Sequence, residues 1–143
     1  MRAGSRTTRF CSARNRLTQM PPVRIVLVED NEVFREALEL LLGMRPDVEI
    51  VDSVGDGAAA VAAAIEHHPD VVLMDYRLPT LDGIQATAQV VQAVPGVAVV
   101  ALTASADDAE REALVEAGAV TCLNKDQELD EIVAAILHAA SVA

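Results

Sequence analysis

Six polar positions stand out because they close or follow short apolar runs. Glu29 and Asp30 follow Val23–Val28, Asp75 follows Val71–Met74, Thr103 follows Val97–Leu102, and Asn124 and Lys125 follow Val120–Leu123. Lys125 is the only lysine in 143 residues, so it is not one of many interchangeable solubilising charges. Three carboxylates gathered at one edge repel one another and raise one another's pKa values. A hard divalent cation relieves that repulsion. Donors that are all oxygen, on rigid strands, suit Mg²⁺ rather than zinc, and Mn²⁺ fits the same donors. A carboxylate nucleophile, a metal, a hydroxyl and a cation together suit phosphoryl transfer to Asp75. The metal and Lys125 would neutralise phosphoryl oxygens, and Thr103 could hydrogen-bond one of them.

Whether these groups meet depends on the elements that carry them. The apolar runs, completed by Glu49–Val54, recur at intervals of roughly 20–26 residues and are dense in Val and Ile, as buried parallel strands are. Helical patterns fill the gaps. Asn31 caps a helix with an apolar stripe at Phe34, Ala37, Leu38, Leu41 and Leu42, stopped at Gly43. Ala58–His67, Gly83–Ala93, Asp107–Ala117 and Glu128–Ala139 follow, and Gly118 lies just past the fourth. Strict strand–helix alternation predicts an α/β fold, a flavodoxin-like doubly wound (βα)5 with a five-stranded parallel sheet of order 2-1-3-4-5. Strands 1 and 3 are then neighbours at the topological switch point, where ligands bind beyond the carboxyl ends. That is where Glu29, Asp30 and Asp75 fall.

Four motifs occur in order: Val26-Leu27-Val28-Glu29-Asp30, then Asp75-Tyr76-Arg77-Leu78-Pro79-Thr80-Leu81-Asp82-Gly83, then Leu102-Thr103-Ala104, then Lys125-Asp126. Together they resemble the CheY-like receiver domain of two-component response regulators, over Val23 to about Ala140. The Leu78-Pro79 turn, the Asp82-Gly83 helix start and the Lys125-Asp126 ending look most like the NarL/LuxR branch. The resemblance implies that Asp75 accepts a phosphoryl group from a histidine kinase or a small phosphodonor. It implies that Asp30 and Asp75 bind Mg²⁺ directly, Glu29 through water, and Arg77 through its backbone carbonyl. Thr103 and Lys125 would grip the phosphoryl group, and small Ala104 would leave the site open to the donor. Such a domain is a switch rather than an enzyme, promoting only its own phosphorylation and dephosphorylation. One position departs from the pattern: receivers usually carry Tyr or Phe three residues before the lysine, and here Cys122 stands there. A thiol is too small to report a ring rotation, which shifts the expected route of output to the loop after Thr103 and to helix 107–117.

Composition bounds the rest. Aromatic residues are 2% of the chain, against stacking platforms for single-stranded nucleic acid. The net charge of −11 argues against direct nucleic-acid binding by this domain. Cys11 and Cys122 are too far apart for a disulfide framework or a CxxC zinc site. No apolar run reaches the ~18 residues of a membrane span, so no membrane partner is expected and a cytoplasmic location is. Charge is unevenly spread. Residues 1–22 carry Arg2, Arg6, Arg9, Arg14 and Arg16 without an acid, while the remainder holds six basic and 22 acidic residues, a balance of −16.

The expected organisation is therefore a basic, disordered extension over 1–22, with Met20 a candidate start, and a receiver domain over 23–143. The last helix ends near residue 140, leaving no output domain in the chain. That fits a stand-alone receiver docking on a downstream protein, or the receiver part of a DNA-binding transcription regulator, with a phosphorylation-dependent homodimer as a further partner. The alternative reading is a phosphorylation-independent interaction module on the same fold. His67-His68 marks a helix terminus rather than a metal pair, because neighbouring helix residues point apart. Asp82-Gly83 and Pro79 read as structural, Cys122 as a small buried hydrophobe, and the other acids as a solvated surface.

Overall fold

The computed structural model describes residues 21–79, 81–104 and 107–142. Basic residues 2 to 16 and Cys11 lie outside the described residues, as do Thr80 and Ser105. The strands are β1 (Val23–Val28), β2 (Val48–Val54), β3 (Val71–Asp75), β4 (Ala98–Thr103) and β5 (Ala119–Asn124). They pair in parallel in the order β2-β1-β3-β4-β5, as the strand–helix alternation requires. The strands reach one residue further than the apolar runs suggest, taking in Asp75, Thr103 and Asn124. Each of these polar residues therefore inherits the rigidity of a hydrogen-bonded ladder: Asp75 is in register with Leu102, and Thr103 with Asn124.

The helices are α1 (Glu32–Gly43), α2 (Gly57–His67), α3 (Gly83–Ala93), α4 (Asp108–Ala117) and α5 (Leu129–Val142). Alternation of side chains along the strands divides the core in two. Ile25, Leu27, Leu73, Val100 and Leu102 face α1 and α5. Val26, Val28, Val72, Met74, Val99 and Ala101 face the side packed by Ala60, Ala64, Ala86, Val90 and Leu114. Cys122 is buried on that second side, as a small apolar residue would be. The two adjacent histidines end α2: His68 is a left-handed cap, and His67 Nε2 lies 3.3 Å from the Asp52 carboxylate.

The acids outside the site do not form a uniformly solvated surface. Asp56, Asp82 and Asp107, like the amide of Asn31, each accept a hydrogen bond from a backbone N–H in the first turn of α2, α3, α4 and α1 respectively, satisfying donors the helix leaves open. Asp107 thus stands before α4 as its cap rather than within it. Asp47 and Asp130 both pair with Arg45, fastening the turn after α1 to the start of α5. Two glycines permit close approach. A Cβ on Gly57 would lie 2.0 Å from the Leu81 carbonyl oxygen, and one on Gly83 would lie 2.7 Å from the Tyr76 backbone.

Candidate functional site

The site assembles where β1 and β3 run side by side, with Val28 paired to Met74. One residue later the chains present Glu29 and Asp75, and Asp30 follows. Oxygens of Glu29, Asp30 and Asp75 lie within 4.8 Å of one another. Glu29 is fully buried and Asp75 is 3% exposed, whereas Asp30 faces solvent. Glu29 is held from several sides. Its backbone N–H donates to Val54, its carbonyl accepts from Arg35 (3.0 Å), and its Oε2 accepts from the Asn31 N–H (3.0 Å).

Lys125 enters this cluster from the end of β5. Its Nζ lies 2.8 Å from Glu29 Oε1 and 3.2 Å from Asp75 Oδ2. The ammonium also sits 4.9 Å from the centroid of the Phe34 ring, a cation–π distance. Its backbone N–H donates to the Thr103 carbonyl at 2.9 Å, which ties the lysine to the hydroxyl-bearing residue of β4. Thr103 is 1% exposed, and Ala104 beside it is open to solvent. Arg77 is exposed, and its backbone N–H reaches Asp75 Oδ1 at 3.3 Å, closing a turn over the carboxylate. Cys122 stays in the core, two residues short of the end of β5.

The electrostatics follow from this crowding. Burial, then the charge of Glu29, pushes the Asp75 carboxyl up to about 7, and Lys125 only partly offsets them. Burial works against the charge on Lys125, but its contacts with Glu29 and Asp75 outweigh that and hold its pKa above the ordinary value. One lysine serves two buried carboxylates, and a third, Asp30, stands at the rim. Glu29 Oε1 is buried without a well-aligned hydrogen bond despite its short approach to Nζ. An oxygen-only donor set, a carboxylate resisting ionisation and a buried oxygen with spare capacity all fit a hard divalent cation such as Mg²⁺. Beside the cluster opens a cleft of about 560 Å³ whose walls include Asp30, Tyr76, Arg77, Asp82 and Glu110.

Every site residue expected from the sequence except Ala104 and Cys122 contributes an atom in or next to this cluster. The sequence reading did not single out Phe34, Tyr76, Glu110 or Arg111. Burial, then hydrogen bonding and charge from Glu110 push the Tyr76 phenol up, so the residue next to Asp75 faces the first turn of α4. The following residue, Arg111, donates to the Cys122 carbonyl at 2.9 Å and to Asn124 Oδ1 at 3.4 Å. An isolated arginine amid acids was the only signal available for it in the sequence.

Residues 25–137 match the family described as the response regulator receiver domain. Among curated proteins, the transcriptional regulatory protein LiaR of Bacillus subtilis is 36% identical over 114 residues, covering 80% of this chain and 54% of that one. The probable transcriptional regulatory protein NarL of Mycobacterium tuberculosis is 36% identical over 122 residues, covering 85% and 56%. The chain thus spans about half the length of the curated relatives it matches. The solved NarL signal receiver domain from M. tuberculosis superposes with a TM-score of 0.81 at 36% identity, covering 84% of this chain and 97% of that one. The receiver domain of the sensor histidine kinase PA1611 from Pseudomonas aeruginosa, described with a magnesium ion coordinated in its active-site cleft, gives 0.71 at 34% identity, covering 84% and 98%. The likeness to the NarL/LuxR branch read from the turn and helix-start motifs is borne out by these relatives.

Proposed function

Because the chain belongs to the response regulator receiver domain family of two-component signalling, we propose that residues 23–143 act as a Mg²⁺-dependent phosphoacceptor switch with Asp75 as the acceptor. The observation that carries this reading is the meeting of Glu29, Asp30 and Asp75 within 4.8 Å, with Lys125 set between Glu29 and Asp75. In the forward step an Asp75 carboxylate oxygen attacks the donor phosphorus. The P–N bond of a kinase phosphohistidine, or the P–O bond of an acyl phosphate, breaks, and the leaving group takes its electron pair. An aspartyl phosphate results. Water attacking that phosphorus later returns the carboxylate and inorganic phosphate.

This chain's residues divide the work. Asp30, Asp75 and the Arg77 carbonyl would hold the metal directly, with Glu29 reaching it through water; Mn²⁺ suits the same donors. When bound, the metal supplies positive charge to the phosphoryl oxygens and to the crowded carboxylates. Lys125 favours the ionised form of Asp75 needed for attack and then turns to a phosphoryl oxygen, while Thr103 donates its hydroxyl to another. Exposed Ala104 leaves the approach open to the donor. The upstream partner is a histidine kinase or a small phosphodonor. The downstream partner is an output domain of the DNA-binding type that the relatives' names suggest, or a separate docking protein, with a phosphorylation-dependent homodimer as one mode of output. Among the described residues no helix is long and apolar enough to cross a membrane, which agrees with a cytoplasmic setting. Residues 1–22 are read as a basic extension outside the domain.

Incubation with acetyl phosphate and Mg²⁺, followed by intact mass, tests the reading. The wild-type chain should gain one phosphoryl group, lose it again on further incubation with Mg²⁺, and gain none as Asp75→Asn. A chain that takes no phosphoryl group from acetyl phosphate or from a phosphorylated histidine kinase is instead a phosphorylation-independent interaction module.

A further inference from the structure

Of the three aromatic residues in the chain, one meets the only lysine. The centroid of the Phe34 ring lies 4.9 Å from the Lys125 Nζ, which also stands 2.8 Å from Glu29 Oε1 and 3.2 Å from Asp75 Oδ2. The ring is placed from two directions. The Phe34 N–H donates to Asn31 Oδ1 at 2.9 Å, and the Asn31 N–H donates in turn to Glu29 Oε2 at 3.0 Å. The side chain packs, half-buried, against the core shared with α1 and α5. The contacts close into a circuit from Glu29 through Asn31, Phe34 and Lys125 back to Glu29. The start of α1 thus supplies a hydrogen bond to one Glu29 oxygen and an aromatic face to the cation beside the other.

Lysine is a compact charge on a flexible stem, and holding it in one place costs side-chain entropy. The Lys125 side chain is 21% exposed, so water competes for its ammonium. An aromatic face attracts the charge through its quadrupole, which an aliphatic side chain of similar size lacks. It does so without an oxygen, which leaves the N–H donors available to carboxylate or phosphoryl oxygens. Resting on the switch reading above, we propose that Phe34 is a positioning residue: its ring face keeps the Lys125 ammonium beside Asp75 while the ammonium passes from the carboxylates to a phosphoryl oxygen.

The charge distribution of the ring is what matters here, beyond its bulk. The experiment titrates beryllofluoride, an unreactive phosphoryl mimic, with Mg²⁺ into the wild-type chain, Phe34→Leu, Phe34→Tyr and a chain carrying trifluorophenylalanine in place of Phe34, with Asp75→Asn as the blank. Fluorination keeps the shape of the ring and drains negative charge from its face. Phe34→Leu and the fluorinated chain should bind the mimic about three- to tenfold more weakly than the wild type, and Phe34→Tyr within about twofold of it. Mg²⁺ alone should bind the variants as tightly as the wild type or more so, because a less firmly held lysine competes less for Glu29 and Asp75. Damage to the fold would weaken both. Lys125, as the only lysine, gives one set of ε-methylene signals in lysine-labelled protein. The ring current should move them upfield in the wild type and the fluorinated chain but not in Phe34→Leu. If Phe34→Leu or Phe34→Tyr does not fold, the fluorinated chain decides alone. Equal affinity for the mimic in the wild type and the fluorinated chain overturns the role of the ring, as does a wild-type Lys125 signal without an upfield shift. A wild-type chain that binds no beryllofluoride overturns the switch reading and the role of Phe34 together.

Discussion

The helices on one side of the sheet are held in two different ways. α2 and α3 are held by close packing of small residues: Gly57, Ala60, Ala63 and Ala64 on one, Gly83, Ala86, Thr87 and Val90 on the other, are all buried. The Thr87 hydroxyl is itself buried there without a hydrogen-bond partner, a cost the packing absorbs. α4 buries only Leu114 and adds the polar contacts of Glu110 and Arg111. Small-residue packing has no second arrangement of similar energy, since a shift of even a fraction of an ångström opens voids or makes clashes. Hydrogen bonds from a long side chain can be exchanged for others at little net cost. The tightly packed pair thus frames Asp75, and α4 is the less deeply buried helix.

The largest expected break in this contrast is Leu114→Ala. Truncating the fully buried leucine should cost about 3–4 kcal/mol in chemical unfolding, with α4 amides losing protection before those of α2 and α3. Uniform loss of protection across all three helices would mean that α4 is no separate unit. Next comes Gly83→Ala, a gain of one methyl on the rigid side. The new Cβ would meet backbone atoms of Asp75 and Tyr76 at 2.7–2.8 Å, and backbone cannot give way as a flexible side chain can. A loss of about 2–3 kcal/mol is expected, together with a fall in Mg²⁺ affinity because the clash falls on the carbonyl of Asp75 itself.

The smallest effect concerns the boundary between the two regions, where Asp75 sits. Its folded pKa of about 7 exceeds the ordinary 3.8, so the folded state holds the proton more tightly than the unfolded one. In metal-free buffer the domain should therefore lose stability as pH rises from about 4 to about 7, with the loss complete above that range. Asp75→Asn removes the penalty. It should match the wild type near pH 4 and exceed it in stability at pH 8, and Mg²⁺ should then stabilise the wild type selectively. A wild type whose thermal midpoint does not fall over that window would show that Lys125 already neutralises the cluster.

The framework and most of the site were legible because both depend on features one-dimensional patterns carry. Val- and Ile-rich runs at regular spacing dictate the parallel sheet, and a polar residue ending such a run must emerge at its carboxyl edge. Glu29, Asp30, Asp75, Thr103 and Lys125 were all found this way. What escaped depends on directions and close approaches. Nothing in the spacing of Phe34 shows that its ring underlies the Lys125 ammonium. Gly57 reads as an ordinary helix start, and only the Leu81 carbonyl above it shows why a side chain is excluded. Arg111 belongs to an acidic helix whose pattern places it on the flank, but its long rotatable stem decides whether it reaches solvent or β5.

Tyr76 gives the molecule one further property. The chain contains a single tyrosine and no tryptophan, so essentially all of its near-ultraviolet emission originates from one phenol. That phenol is bonded in sequence to Asp75 and faces the Glu110 carboxylate, a neighbour of the kind that quenches tyrosine light. The domain therefore carries a native optical probe where the neighbour of Asp75 meets α4, and a change in its brightness reads the Tyr76–Glu110 approach without any label.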